Sequence, residues 1–336
     1  MRTMTTTYQS IITSLANGGS ITATEQIQSL WSGYGEIVRI HLKGGLHNSV
    51  ILKHIRLPQP ADHPRGWNSR LSHQRKLKSY QVETYWYQHY AKRCNQHCPV
   101  PESLSVSESH HETYLLLTDL SVAGFSDIKS SASLQDVHAC LSWLAHFHAT
   151  FLLQPSEGLW DCGTYWHLGT RPEELAALAD QRLKQAAPLI DHALKQCHYQ
   201  TLVHGDAKLA NFCFTPTNSG TAASPVAAVD FQYIGAGCGM KDVAYFIGSC
   251  LNDSECEKLE TPLLNHYFQT LKTAVSEQHP QVSTVQLEQE WRSLFDVAWA
   301  DFHRFLKGWS PDHWKLNSYS ERLTQRVIER LLPHPS

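Results

Sequence analysis

Leu202–Gln232 decides the fold: LVHGDAKLANFCF (Leu202–Phe214), a short polar insert, then VAAVDFQ (Val226–Gln232). A hydrophobic strand, Thr201 to His204, runs into a turn that carries Asp206, Lys208 and Asn211, and a second strand, Phe212 to Thr215, leaves it. A third strand delivers Asp230, 24 positions after Asp206. Each polar residue has a chemical use. Transfer of a phosphoryl group needs a carboxylate within hydrogen-bond reach of the attacking hydroxyl, to orient it and accept its proton, and Asp206 suits that task. It needs Mg²⁺ held by few protein oxygens, since this ion keeps water and phosphate ligands; Asn211 and Asp230 suit that one. Lys208 would place positive charge near the transferring group. Singly, each has a plain structural explanation, because His-Gly-Asp turns and strands ending in Asp are common. Their coincidence in this order is what carries the reading.

His-x-Asp-x-x-x-x-Asn followed by Asp-Phe at a strand end is the spacing that kinases use. HGDAKLAN with AVDFQ resembles the aminoglycoside phosphotransferase and choline kinase superfamily, in particular its ecdysteroid-kinase-like and choline-kinase-like members. Gln232, where protein kinases carry Gly, favours that branch. The resemblance implies an α+β, bilobal, protein-kinase-like fold, with a small antiparallel-sheet lobe over residues 1–118 and a larger, mostly helical lobe over 119–336. It also implies ATP and Mg²⁺ as cofactors and a small-molecule hydroxyl as acceptor.

Composition agrees with a globular enzyme. The 336 residues suffice for two lobes with their own cores. A net charge of −3 gives no basic footprint for nucleic acid. No uncharged apolar run reaches membrane-spanning length and the N-terminus lacks a signal-peptide core, so a cytoplasmic protein without a membrane partner is expected. Nine cysteines, an odd number without a framework, point to a reducing compartment. Cys94, His97 and Cys98 cluster, but no second pair completes a zinc site.

Working outward, residues 27–55 read as a three-stranded antiparallel meander: IQSLW, EIVRIHL and SVILKHI with glycine turns between them. Gly44-Gly45 lies too close to Lys53 to leave room for two strands. Gly33 and Gly35 are therefore preferred as the loop over the nucleotide phosphates. Lys53 is a charge inside an apolar strand, and resembles the strand lysine that kinases direct at phosphates. By the same resemblance Glu83, within a helix from His73 to Cys94, would hold it. Thr118-Asp119-Leu120 stands where the family commonly has Glu-Asp-Leu, which implies that the backbone of Thr118 and Asp119 meets the adenine. Pro58–Ser72 and Thr217–Pro225 read as surface loops.

Ser133–Phe151 is helical by periodicity, and His148 reads as a hydrogen-bonded core histidine. Gly158–Gly169 is aromatic and irregular, either a substrate mouth or a cap on the lobe. A helix from Pro172 to about Cys197 follows. Asp242, near the start of a helix at Met240, resembles the family aspartate that holds the catalytic-loop backbone. Ser254 with Glu257 would open the next helix by a capping box. Gln286–Trp309 is amphipathic. Core packing explains most of its aromatic stripe, and the alternative is a cage for a cationic acceptor built from Trp291, Asp296, Trp299, Asp301, Trp309, Asp312 and Trp314.

Two rivals are disfavoured. Phosphorylation of a protein side chain would need an Ala-Pro-Glu segment and an activation loop after Asp230, and neither is present. A catalytically silent nucleotide-binding module would have no need of Lys53, Glu83, Asp206, Asn211 and Asp230 together.

Overall fold

The three strands expected between Ile27 and Ile55 form part of a larger antiparallel sheet. In the computed structural model, which describes residues 2–15, 18–30, 33–56, 70–109, 112–216 and 225–332, the chain divides into two compact units. The first is Met1–Arg93, Val100–Asp127 and Phe214–Gly220; the second is Cys94–Pro99, Ile128–Cys213 and Thr221–Ser336. Most of the loop expected at Pro58–Ser72, and all but the last residue of that at Thr217–Pro225, lie outside the described residues.

The first unit contains α1 (Arg2–Thr13), β1 (Ser20–Ser29), β2 (Gly35–Lys43), β3 (Ser49–Arg56), α2 (Arg70–His89), β4 (Ser103–Glu108) and β5 (Glu112–Thr118), the sheet running β1-β2-β3-β5-β4. Side chains alternate across a strand, so the register decides which ones meet. Ile40 lies opposite Val50, Val38 opposite Leu52, and Leu52 opposite Leu116. These residues form one apolar cluster with Tyr8 and Ile12 of α1. Fully buried Ile12, Ile40, Val50, Leu52 and Leu116 contribute about 1.5–3 kcal/mol each. Ile37 and Ile55 point the other way, onto Tyr34, Leu30 and Tyr80 of α2. Lys53 shares the parity of Ile55 and so faces α2.

Two features lie ahead of the meander expected from Ile27. A helix, α1, begins at Arg2, and β1 begins at Ser20, seven residues before Ile27. The sequence SITATEQIQS is exposed along nearly its whole length. An edge strand with water on both faces has no hydrophobic period to read. Its pairing with β2 holds it, through register shifts at Ile21/Ala23 and Gln26/Gln28.

From Asp127 the elements are β6 (Asp127–Ile128), α3 (Leu134–Thr150), α4 (Pro172–Ala177), α5 (Gln181–Lys195), β7 (Thr201–Val203), β8 (Phe212–Phe214), β9 (Val226–Ala228), β10 (Gly235–Gly237), α6 (Met240–Cys250), α7 (Asp253–Gln278), α8 (Thr284–Trp309) and α9 (Ser318–Leu331). α3 starts at a capping box between Ser133 and Asp136. It buries Trp143 and Phe147, stacked at 4.9 Å, and Phe212 meets Trp143 edge-on at 5.6 Å. The helix expected over Pro172–Cys197 is two helices. Leu178 is extended and Asp180 caps a fresh start by accepting from Leu183 N–H at 3.0 Å. α7 is capped by Asn252 and Glu255, not Ser254 and Glu257, because Asn252 and Glu255 exchange both backbone bonds, at 2.9 and 3.0 Å. Among the described residues no helix is long and apolar enough to cross a membrane.

Candidate active site

In the first unit the buried Lys53 ammonium donates to Glu83 Oε2 at 2.6 Å. β3 and α2 bring together two residues 30 positions apart. The β1–β2 turn lies where the sequence placed it: Leu30 N–H donates to the Gly35 carbonyl at 2.8 Å, and Gly33 and Gly35 both have positive φ, +78° and +125°. A side chain at Gly35 would run into the His54 carbonyl. Thr118 N–H is spent on the Glu102 carbonyl at 3.0 Å. The Asp119 carboxylate is buried and accepts from Arg39 Nε, Ser49 Oγ, Ser121 N and Ser121 Oγ. Burial would raise its pKa, but these donors outweigh burial and hold it below the usual range. That side chain anchors the end of β5.

In the second unit β7 feeds the turn from His204 to Asn211. Asp242, at the start of α6 and fully buried, accepts from the backbone N–H of His204 (Oδ2, 2.6 Å) and of Gly205 (Oδ1, 2.9 Å). His148 Nε2 is 3.1 Å from the same carboxylate, and its Nδ1 is 2.7 Å from Tyr267 OH. His148 is therefore the hydrogen-bonded core residue expected, and Asp242 the clamp on the turn. His204 Nδ1 accepts from Asp206 N–H (3.3 Å) and Nε2 faces the Val229 carbonyl (3.0 Å), which assigns the neutral ring with hydrogen on Nε2. Gly205 has φ +79°, and a Cβ there would strike the Tyr233 carbonyl.

Asp206 is 6% exposed. Its Oδ2 accepts from Lys208 Nζ (2.9 Å) and Asn211 Nδ2 (3.2 Å), and its Oδ1 from Tyr245 OH (2.9 Å). A carboxylate offers about four lone-pair sites, so one remains, on Oδ1. Burial raises the Asp206 pKa; Lys208 opposes that and Asp230 adds to it. Burial lowers the pKa of Lys208, but the charge and hydrogen bond of Asp206, with the charge of Asp230, together more than offset it and leave the lysine above its ordinary value. Asn211 also donates Nδ2 to the Asp206 carbonyl (2.8 Å), which leaves its Oδ1 as an oxygen donor. Val229 N–H bonds the Asn211 carbonyl at 3.0 Å, tying the turn to the segment that carries Asp230. Asp230 lies two residues past β9, with φ +68°, and accepts from Gln232 Nε2 at 2.7 Å. The carboxylate and amide oxygens of Asp230 and Asn211 form a hard donor set that fits Mg²⁺.

Two neighbours of Asp206 escaped the sequence reading. Tyr245 follows Asp242 by three residues, so one face of α6 presents both, a signal that helical spacing could have supplied. Lys315 had none. Its ammonium lies over the rings of Tyr245 (5.0 Å), Phe302 and Trp314 (both 5.5 Å). Burial lowers its pKa to about 8, against the pull of Cys250 and Asp206.

The cationic cage does not assemble. Trp291 and Trp299 are buried with their N–H groups on the Tyr199 carbonyl (2.9 Å) and Ser320 Oγ (3.0 Å). Asp301 is buried against Arg304. Packing claims the stripe, as its period implied. Nor do Cys94, His97 and Cys98 converge. Among the described residues the group of His, Cys, Asp or Glu donors close enough to share an ion is Cys162, His167 and Asp191.

The fold is similar to that of solved small-molecule phosphotransferases. The microcompartment-associated aminopropanol kinase superposes with a TM-score of 0.53 at 13% identity, over 97% of this chain and 99% of that one. A mutant of aminoglycoside 2′-phosphotransferase-IIIa in complex with GDP gives 0.50 at 11%, over 98% and 97%. At such identities the likeness is one of fold. A search of curated proteins returns no match. The ecdysteroid kinase-like family model matches residues 68–154 and 162–279, a span that carries Glu83, His148, the turn from His204 to Asn211, Asp230 and Asp242. It covers more than half of the chain, and the protein therefore belongs to the ecdysteroid kinase-like family.

Proposed function

We propose that the protein is an ATP-dependent kinase acting on a hydroxyl group of a small molecule. The observation that carries this reading is Asp206: buried, pinned by three donors, and left with one acceptor site on Oδ1. A hydroxyl seated there donates to Oδ1, is oriented by it, and yields its proton to it. Mg·ATP, when bound, supplies the phosphoryl group and a cation that shields its charge. Asn211 and Asp230 would hold the cation. Lys53, fixed by Glu83, would neutralise phosphate charge, with the Gly33 and Gly35 turn covering it; the base would meet backbone groups at Thr118 and Asp119 other than the Thr118 N–H and the Asp119 carbonyl, which are bonded to Glu102 and Val122. α6 begins ten residues past Asp230, which leaves no long loop to present a peptide and favours a small acceptor.

The charge around Asp206 narrows the acceptor. Lys208 and Lys315 are both cations near neutral pH, and Lys315 already covers three aromatic faces. An amine next to the reacting hydroxyl would meet like charge, so neutral or acidic alcohols are favoured over amino alcohols.

ADP release from Mg·ATP across a panel of neutral, acidic and cationic alcohols tests the reading. Turnover stimulated by one class supports it, and failure to bind any nucleotide ends it. Asp230→Ala should weaken Mg²⁺-dependent nucleotide binding by at least about 10- to 100-fold, the range for lost support of a metal site; unchanged affinity by titration calorimetry would place the metal elsewhere. The pH profile has a defined sign. Because burial lifts Asp206 above its ordinary 3.8, its basic form is lost earlier as pH falls, and the acid limb of kcat/KM should lie above 3.8. A limb at or below that value would exclude Asp206 as the titrating base.

A further inference from the structure

The irregular segment after Gly158 holds a polar cluster that phosphoryl transfer does not use. Trp160 N–H bonds the Ile234 carbonyl just before β10, Gly163 N–H bonds the Ala236 carbonyl within it, and Tyr165 N–H bonds the Gly205 carbonyl. Between them, half-buried Cys162 accepts from Lys241 Nζ at 3.5 Å. Lys241 is 2% exposed, and this sulfur is its one hydrogen-bond acceptor among the described residues. Asp301 lies 3.7 Å away, but its oxygens already accept from Arg304 (2.8 Å) and Trp166 Nε1 (3.1 Å). On the other side His167, 8% exposed, pairs with Asp191 at 3.4 Å, and Asp191 with Lys195 at 2.8 Å.

The charges decide the state of the sulfur. Arg304 balances Asp301, and Lys195 and His167 face Asp191. Lys241 is left over. A buried ammonium without a counter-charge is strongly disfavoured, and a neutral thiol is a weak acceptor. A thiolate supplies both the acceptor and the charge. Its pKa agrees in direction: burial would raise it, but Lys241 and His167 bring it below the ordinary thiol value. Burial would lower His167, yet Asp191 and Cys162 lift it to about 9, so it carries a proton at neutral pH. The donor atoms of Cys162, His167 and Asp191 lie within 4.8 Å of one another, close enough for a metal ion. Three cations around them, Lys241, Lys195 and protonated His167, argue against adding a fourth.

We propose that Cys162 is a modification site, a partly exposed thiolate held by Lys241 and His167 that reduces hydroperoxides. The sulfur attacks the terminal oxygen of ROOH; the S–O bond forms as the O–O bond breaks. Sulfur is oxidised by two electrons to the sulfenic acid Cys–SOH, the peroxide is reduced, and the departing RO⁻ takes a proton from His167 to leave as ROH.

The test is alkylation of the full-length folded protein by iodoacetamide, followed site by site with peptide mass spectrometry across pH. Cys162 should react at pH 7 on the order of tenfold faster than the other half-buried thiols, Cys94, Cys213 and Cys250. Its rate should titrate below pH 9. Lys241→Met should move that midpoint upward. His167→Gln, remote from the α6 backbone, should do the same and covers the case in which the lysine variant fails to fold. Hydrogen peroxide followed by a dimedone trap should label Cys162 first. Equal reactivity of the four thiols, or a midpoint that neither variant moves, overturns the proposal. So does stoichiometric Zn²⁺ binding that blocks alkylation, since the cluster would then be a metal site.

Discussion

Replacing Asp206 with Asn should reduce turnover by about 10²- to 10⁴-fold, the usual contribution of a positioned general base, while nucleotide affinity stays near that of the parent. The amide keeps the shape of the carboxylate but has one acceptor oxygen and a donor nitrogen. If the oxygen keeps Tyr245 OH, the nitrogen faces Lys208 Nζ and Asn211 Nδ2, both donors. Lys208 would turn outward, which its side-chain exposure of 42% permits. Loss of the base and loss of the anchored cation therefore act in the same direction. ADP release at saturating acceptor, with nucleotide binding measured separately, separates their joint effect on turnover from any change in nucleotide affinity. Turnover equal to the parent's would remove Asp206 from its assigned role.

The second large effect is on stability. Asp242→Ala removes the acceptor of two backbone N–H groups and the partner of His148, all in the buried core. Each buried donor left unmade costs about 1–3 kcal/mol, and loss of one partner from a buried charged network on the order of 3–5 kcal/mol. For a chain of this size that is a fall in melting temperature of roughly 10 °C. Asp242→Asn retains one acceptor oxygen and should recover part of the loss. Calorimetric melting of the two variants checks the order. An Ala variant melting with the parent would mean that the turn is held by its own strands.

Much of this architecture was legible because its determinants are local. The turn from His204 to Asn211 closes through contacts between residues two to five apart, as in Asp206 N–H to His204 and Asn211 to Asp206. Such contacts follow from spacing. Lys53 and Glu83, 30 positions apart, needed the family resemblance as well as the oddity of a lysine in an apolar strand. β1 was cut short because an exposed edge strand has no apolar period. The split between α4 and α5 was missed because Asp180 reads equally as a helix interior residue and as a cap.

By itself, then, the sequence determined the turn from His204 to Asn211, the strands that enter and leave it, and the packing role of the α8 stripe, since periodicity and short-range hydrogen bonding are written into consecutive residues. Only the tertiary structure decided what surrounds Asp206 and Cys162. Tyr245 reaches Asp206 across 39 positions, Lys241 reaches Cys162 across 79, and Trp166 reaches Asp301 across 135. The physical reason is that a charge cluster depends on which side chains burial forces together, and burial is settled by the packing of whole elements rather than by any one stretch of chain.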